Sequence, residues 1–189
     1  NLHHLQQNPC AAFVSGSHDK VFLDTQTKVG VIKTVNGNPY LYLLSEGNYI
    51  GVPASVLYRR WVFDEFVFDE TLKACEDYDL YLNIARRWPI LHHSGKVAAY
   101  CIHSTNMSAD SMMMLEAALQ VLKRQYSKLK TNKEREAYKA GRKYWKAFYF
   151  NELFKKIENN KWSTSMQSVK VLLLNKPHYF LRFFFKNLS

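Results

Sequence analysis

Phe68-Asp69-Glu70-Thr71-Leu72-Lys73-Ala74-Cys75-Glu76-Asp77-Tyr78-Asp79-Leu80 is the stretch on which the fold reading turns. It holds five carboxylates: Asp69, Glu70, Glu76, Asp77 and Asp79. Like charges this close repel one another. Such a cluster is tolerated where a cation, a shared proton or the positive end of a helix offsets it. Residues 77–87 have the pattern of an amphipathic helix. Leu80 and Ile84 stack four apart, Arg86 and Arg87 sit in the last turn, where cations suit the helix dipole, and Pro89 stops the run. Acids at a helix start are also ordinary dipole partners, so spacing alone leaves the bland and the chemical reading both open.

Outward from this segment, short apolar runs alternate with turn clusters. Residues 11–15 read as a buried strand closed by Gly16-Ser17, and residues 29–33 as a second. Residues 36–39 are a turn cluster, and residues 40–45 fit helix or strand. Pro53 interrupts the next run. Residues 55–58 are its strand-like part, followed by Arg59-Arg60. Residues 63–70 read as a loop that repeats the triplet F-D-E. Residues 96–103 read as a strand entering a polar loop, residues 104–108. Strand-helix alternation of this kind predicts an α/β sandwich. From about Asp110 the pattern turns helical. Thr131 with Glu134 forms a capping box for a helix running to about Ile157, and Asn159-Asn160 breaks it. A third helix is expected over residues 163–174, before Pro177 and a strongly aromatic end. The pattern therefore puts an α/β part before about Asp110 and a helical tail after it.

Charge obeys the same division. The 189 residues carry a formal net charge of +10. Residues 1–120 hold 9 Lys and Arg against 12 Asp and Glu, whereas residues 121–189 hold 17 against 4. The basic character belongs to the tail, which makes nucleic acid an unlikely partner for the whole chain. Hydrophobic content of 47% and aromatic content of 15% argue against disorder. No apolar run approaches the roughly 20 residues that span a bilayer. Cys10, Cys75 and Cys101 are too few and too widely spaced for a disulfide framework or paired zinc ligands, and read as reduced thiols of a cytoplasmic protein. The first residues lack a signal peptide and read like the end of a helix already under way, so further sequence is expected upstream of Asn1.

F-D-E-x-L followed by E-D-Y-D-L resembles a segment of the family-two inverting glycosyltransferases of the GT-A fold, a Rossmann-like nucleotide-sugar transferase domain. Residues 55–60 resemble the strand before that segment. Tyr100-x-x-His103-x-x-Asn106-x-Ser108 is similar to the family's Y-R-x-H-x-x-N-x-S, and residues 4–9 resemble the stretch just after its metal-binding D-x-D motif. The likeness covers about residues 1–118 and implies the C-terminal, acceptor-side half of such a domain, with the D-x-D half absent, followed by an all-helical basic tail, residues 119–189. Phe66-Val67, Asn83 and Cys101 depart from residues common in the family.

The resemblance implies transfer of a sugar from a nucleotide-sugar donor to a glycan or lipid-linked acceptor, with inversion. Asp77 matches the aspartate that acts as general base. An acceptor hydroxyl is a poor nucleophile, and a carboxylate within hydrogen-bond reach takes its proton as it attacks the anomeric carbon. Glu76 would orient or tune Asp77, and Asp79 reads as a cap or ion-pair partner. His103 is the candidate metal ligand or diphosphate contact for a divalent Mg or Mn whose main ligands lie outside this sequence. Arg59, Arg60, Asn106 and Ser108 are the candidate substrate contacts. Arg59 and Arg60 read equally as side chains snorkelling at a strand end, and Ser108 as a helix N-cap. This stretch alone is expected to be inactive. The tail interleaves Lys and Arg with Tyr, Trp and Phe over residues 142–150 and 179–186. That mixture suits either an anionic membrane face, giving peripheral attachment inside the cell, or a core-packed helix with a solvated basic side. The rival is a non-catalytic, membrane-associated or partner-binding helical module on an α/β remnant.

Overall fold

The structure is a computed structural model, and it describes residues 1–103, 106, 108 and 110–159. Over these residues the chain is mixed α/β, with a four-stranded mixed sheet and six helices. The sheet is organised by β1 (Phe13–Phe22), whose residues 13–19 are all buried. The strand β4 (Ile90–Ile102) runs parallel to it along its full length, from Phe13 opposite Ile90 to Phe22 opposite Ile102. The other edge of β1 is shared by two antiparallel partners. β3 (Val56–Tyr58) pairs with its first residues, and β2 (Thr27–Val31) with its last. Asp19 fastens the far end, meeting Lys28 of β2 at 2.9 Å and Lys96 of β4 at 2.7 Å. Those two ammonium groups, Lys96 foremost, hold its carboxyl below the usual range.

The strand expected to close at Gly16-Ser17 instead continues to Phe22. The register against β4 slips on either side of Ser17, a bulge that lets both strands stay paired. Gly16 is what the slip requires. A Cβ there would stand 2.7 Å from Val97 Cγ2 and 2.8 Å from the Gly95 carbonyl oxygen. Residues 13 and 14 point to opposite faces, as a strand demands. Phe13 enters the main core, while Val14 joins Leu5, Ala11 and Leu91 under α1 (Leu2–Gln7).

Helices cover the main face. The ambiguous residues after the turn cluster form α2 (Pro39–Glu46), opened by Asn38, whose side chain accepts from the backbone of Tyr40 and Leu41, and by a proline in the first turn. A 3-10 turn (Pro53–Ser55) leads into β3, and the short α3 (Val62–Glu65) comes next. α4 (Glu76–Ala85) buries Leu80 and Ile84, as its spacing predicts. α5 (Ser111–Tyr126) is capped by Asp110, not by Ser108. α6 (Asn132–Asn159) opens on the expected capping box: Glu134 N–H donates to Thr131 Oγ1, and Thr131 N–H to Glu134 Oε2.

The division at residues 118/119 is not visible as a boundary. It falls inside α5, and α6 contributes Tyr138, Trp145, Tyr149, Phe150 and Leu153 to the same core as Phe13, Leu43 and Leu80. The apolar stripe of α6 needs cover, and α2 supplies it. The expected helix over residues 163–174 and the aromatic end after Pro177 lie outside the described residues. No helix among the described residues is long and apolar enough to cross a membrane.

Gly141 sits where α6 passes α2, and a Cβ there would collide with the Leu44 carbonyl oxygen. Gly141→Ala should therefore destabilise the protein by about 1–3 kcal/mol, although alanine is the better helix former by ~1 kcal/mol. Urea unfolding checks this, and a neutral or stabilising result would show that the two helices do not touch there.

Candidate functional site

The acidic segment folds as a loop and a helix start. Cys75 adopts the left-handed backbone conformation (φ 63°) immediately before α4, a costly geometry for a side chain other than glycine. The turn it makes sets Glu76, Asp77 and Asp79 in the first helical turn. Tyr78 fixes the helix in place. It is 1% exposed, its hydroxyl donates to the Leu43 carbonyl at 2.7 Å, and it accepts from Trp145 Nε1 at 3.4 Å. One residue on either side of this anchor, the carboxylates part company.

Asp77 is half-buried. Its Oδ2 accepts from Asn48 Nδ2 at 3.2 Å, and its Oδ1 from the Tyr78 backbone N–H at 2.7 Å. Asn48 is itself oriented by the Gly51 N–H, which donates to its Oδ1. The phenols of Tyr58, Tyr81 and Tyr149 lie near enough to sense the Asp77 charge. Tyr58 and Tyr81 interact with each other without closing a well-aligned hydrogen bond. Desolvation raises the Asp77 carboxyl to about 6, and the charge of Glu76 adds to it. The hydrogen bonds from Tyr78 and Asn48 hold it back. Glu76 is exposed. The Cys75 thiol is pushed up to about 12, by burial first and then by Asp77 and Glu76, so it is no nucleophile.

Asp79 faces a different neighbourhood. It is 7% exposed, accepts from Asn83 at 2.8 Å and stands 3.9 Å from Arg124. Its role is the ion-pair partner expected from its place in the helix. Burial raises its carboxyl, against the pull of Arg124 and Lys128. Arg124 also grips Asp69, which Thr71 and then Arg124 hold at about 2. This polar junction ties the loop of residues 69–71 to α4 and α5, and sequence reasoning missed it.

The other expected site residues are dispersed. The Arg59 guanidinium is committed to backbone: Nε donates to Ala11 O at 2.9 Å, and Nη2 to Leu5 O at 2.7 Å and Asn8 O at 3.2 Å. It closes the C-terminal end of α1, an arrangement that accounts for it without a phosphate. Arg60 is exposed in the turn after β3. His103 is exposed past the end of β4, with its backbone N–H donating to Asn106 Oδ1. Asn106 Nδ2 reaches the Cys101 carbonyl, and Ser108 Oγ meets the Tyr100 hydroxyl at 3.1 Å. The described bonds of Asn106 and Ser108 run to Tyr100 and Cys101 at the end of β4 and to His103 just past it, while those of Asp77 run to Asn48 and Tyr78. Asn48 could have been suspected only from its turn setting between Gly47 and Gly51.

Asp77 and Asp79 have the D-x-D spacing but do not converge, since one turns to Asn48 and the other to α5. Among the described residues, no group of three or more His, Cys, Asp or Glu side chains gathers to hold a metal. These residues do not by themselves fit a divalent cation. A cavity of about 260 Å³, lined by Asn38, Pro39, Arg86 and Trp88 among others, lies at the opposite end of α4 from Asp77. Nine residues of helix separate Arg86 from Asp77, roughly 13 Å. No family model matches the chain, and no curated protein matches it.

Two variants probe these surroundings. Arg59→Ala should cost about 2–4 kcal/mol of stability, because three backbone carbonyls lose a charged donor, and Arg59→Lys should restore little of it. Asp77→Asn should behave in the opposite way. With its pKa raised to about 6 in the folded state, Asp77 takes up its proton on folding at lower pH and opposes folding once ionised. Stability attributable to it therefore falls as pH rises from about 4 to 6. Its remaining contact with water trims the effect to about 1–2 kcal/mol. Thermal melts should show Asp77→Asn at or above wild type at pH 7.5, with the difference gone by pH 4. A variant less stable at pH 7.5 would mean that the carboxylate is a structural partner instead.

Proposed function

We propose that this chain is the acceptor-side portion of an inverting glycosyltransferase of GT-A type, with Asp77 as its general base. The observation that carries the reading is a half-buried carboxylate whose proton affinity is raised to about 6 and whose orientation is set by Asn48. A base should titrate near the working pH, so that it is ionised yet still binds a proton readily. At pH 7 Asp77 meets both conditions, whereas Asp79 is held by Asn83 and Arg124.

In the reaction, Asp77 accepts the proton of an acceptor hydroxyl. The hydroxyl oxygen attacks the anomeric carbon of the donor sugar, the bond to the nucleoside diphosphate breaks, and the configuration inverts without a covalent enzyme intermediate. Glu76 raises the proton affinity of Asp77 from beside it. The donor is a nucleotide sugar, and the acceptor a glycan or lipid-linked glycan. Nucleotide and divalent metal, Mg or Mn, would be held chiefly by a D-x-D half outside this sequence, with His103, Asn106 and Ser108 on the loop after β4 as further contacts from this side. Arg60 is the more available of the two arginines for a diphosphate, since the guanidinium of Arg59 is spent on backbone. Attachment to an anionic membrane would use the exposed basic face of α6 and the residues after it, because the buried aromatic stripe of α6 is occupied by packing.

The test is Asp77→Asn in the protein that carries the donor-binding half, assayed for sugar transfer. We expect a fall in kcat of about 10²–10⁴ with donor affinity kept, and a wild-type rate that rises through an acid limb near pH 6. Glu76→Gln should shift that limb to lower pH with a smaller loss of rate. Transfer undiminished in Asp77→Asn would refute the assignment.

A further inference from the structure

The doubled F-D-E triplet is left unused by the chemistry of Asp77. Phe63 stands in α3 and Phe68 in the loop beyond it, yet their rings come together, with centroids 6.3 Å apart and planes at 28°. Both are open to water, 40% and 41% exposed, and Val67 between them is 76% exposed. Exposed apolar rings side by side mark a surface that meets something. Phe63 packs on Tyr58 at 5.1 Å, and the phenol of Tyr58, buried beneath it, senses the charge of Asp77.

What the patch meets is restricted by its rim. Each ring is followed by two acids. Asp64, Glu65 and Glu70 are exposed, and the two that meet arginines are Glu65, 3.6 Å from Arg87, and Asp69, bound by Arg124. Such a rim repels phosphate, nucleic acid and an anionic lipid surface. It suits a neutral polyhydroxylated ring. The C–H bonds on one face of a pyranose present partial positive charge to the negative face of a phenyl ring, while hydroxyls at its edge donate to carboxylates. We propose that Phe63 and Phe68 form a stacking subsite for a neutral sugar ring, and that this ring belongs to the acceptor. The acceptor role rests on the transferase reading above, whereas the binding of a sugar does not.

Saturation-transfer NMR on the full chain tests it, with methyl β-glucopyranoside, methyl β-galactopyranoside and methyl N-acetyl-β-glucosaminide as probes and a methyl glucuronide as anionic control. At roughly 20 mM sugar, transfer to the ring C–H protons of at least one neutral probe is expected, and less to the glucuronide. Phe63→Ala and Phe68→Ala should each weaken binding about three- to tenfold, and Phe68→Tyr should keep it. Both rings are partly exposed, so the variants should fold. Should Phe63→Ala unfold, the contrast between Phe68→Ala and Phe68→Tyr decides. The proposal is overturned if no neutral probe receives saturation, if Phe68→Ala binds as wild type, or if the patch proves to be the contact of a dimer that Phe68→Ala dissociates. The two readings fail separately. Sugar binding kept while Asp77→Asn still transfers would sink the transferase and spare the subsite. Loss of transfer in Asp77→Asn with no ring-dependent binding would do the reverse.

Discussion

The hydroxyl of Tyr78 joins three helices. It donates to a carbonyl of α2 and accepts from an indole of α6, while its ring fills the core from the first turn of α4. Buried polar groups carry a penalty unless they find partners, so this pair of bonds is satisfied in one arrangement of the helices. Side chains of neighbouring helical residues cannot share a face. With Tyr78 driven inward, Asp77 is left at the margin of the core, and Asp79 is turned toward α5. The chemistry proposed for Asp77 depends on this inheritance: the anchor beside it makes the carboxylate partly dry without making it inaccessible.

The same constraint explains why α6 is not an appendage. Trp145 reaches Tyr78, and Gly141 lets α6 approach α2 closely enough for it to do so. Removing α6 would uncover Tyr78 as well as Leu43 and Leu44, and with them the setting of Asp77. Basic residues and apolar ones coexist in α6 because they lie on different sides. Tyr138, Gly141, Trp145 and Tyr149 form a buried stripe, while Lys139, Lys143 and Lys146 are exposed.

Much of this was legible in the sequence where the signal was local. Leu80 and Ile84 four apart, stopped by Pro89, marked α4, and Thr131 with Glu134 marked the start of α6. Non-local contacts were not legible. The run after Phe13 contains Gly16, which reads as a strand end until β4 is seen to need that gap. Asp110 and Ser108 are equally ordinary caps by type, so the sequence does not choose between them, and Asp110 is the one that caps α5. A division at 118/119 follows only from the extent of the resemblance, and charge on the outside of α5 and α6 conceals the stripe that joins them to the core. Asp77 stood out by its cluster. Asn48, which orients it, lies 29 residues away, and nothing near Arg59 announces that its acceptors are the carbonyls of Leu5, Asn8 and Ala11.

Residue 77 carries a carboxyl group whose charge is disfavoured by its surroundings. Side-chain carboxyl carbon shifts, followed by NMR across pH 3–8 and assigned through Asp77→Asn, read that group directly. A midpoint near 6 is expected for Asp77, whereas Asp69, held at about 2, should stay largely ionised across that range. A midpoint for Asp77 at or below ~4, the ordinary aspartate value, would show a carboxylate that its surroundings do not disfavour, and no base poised near neutral pH.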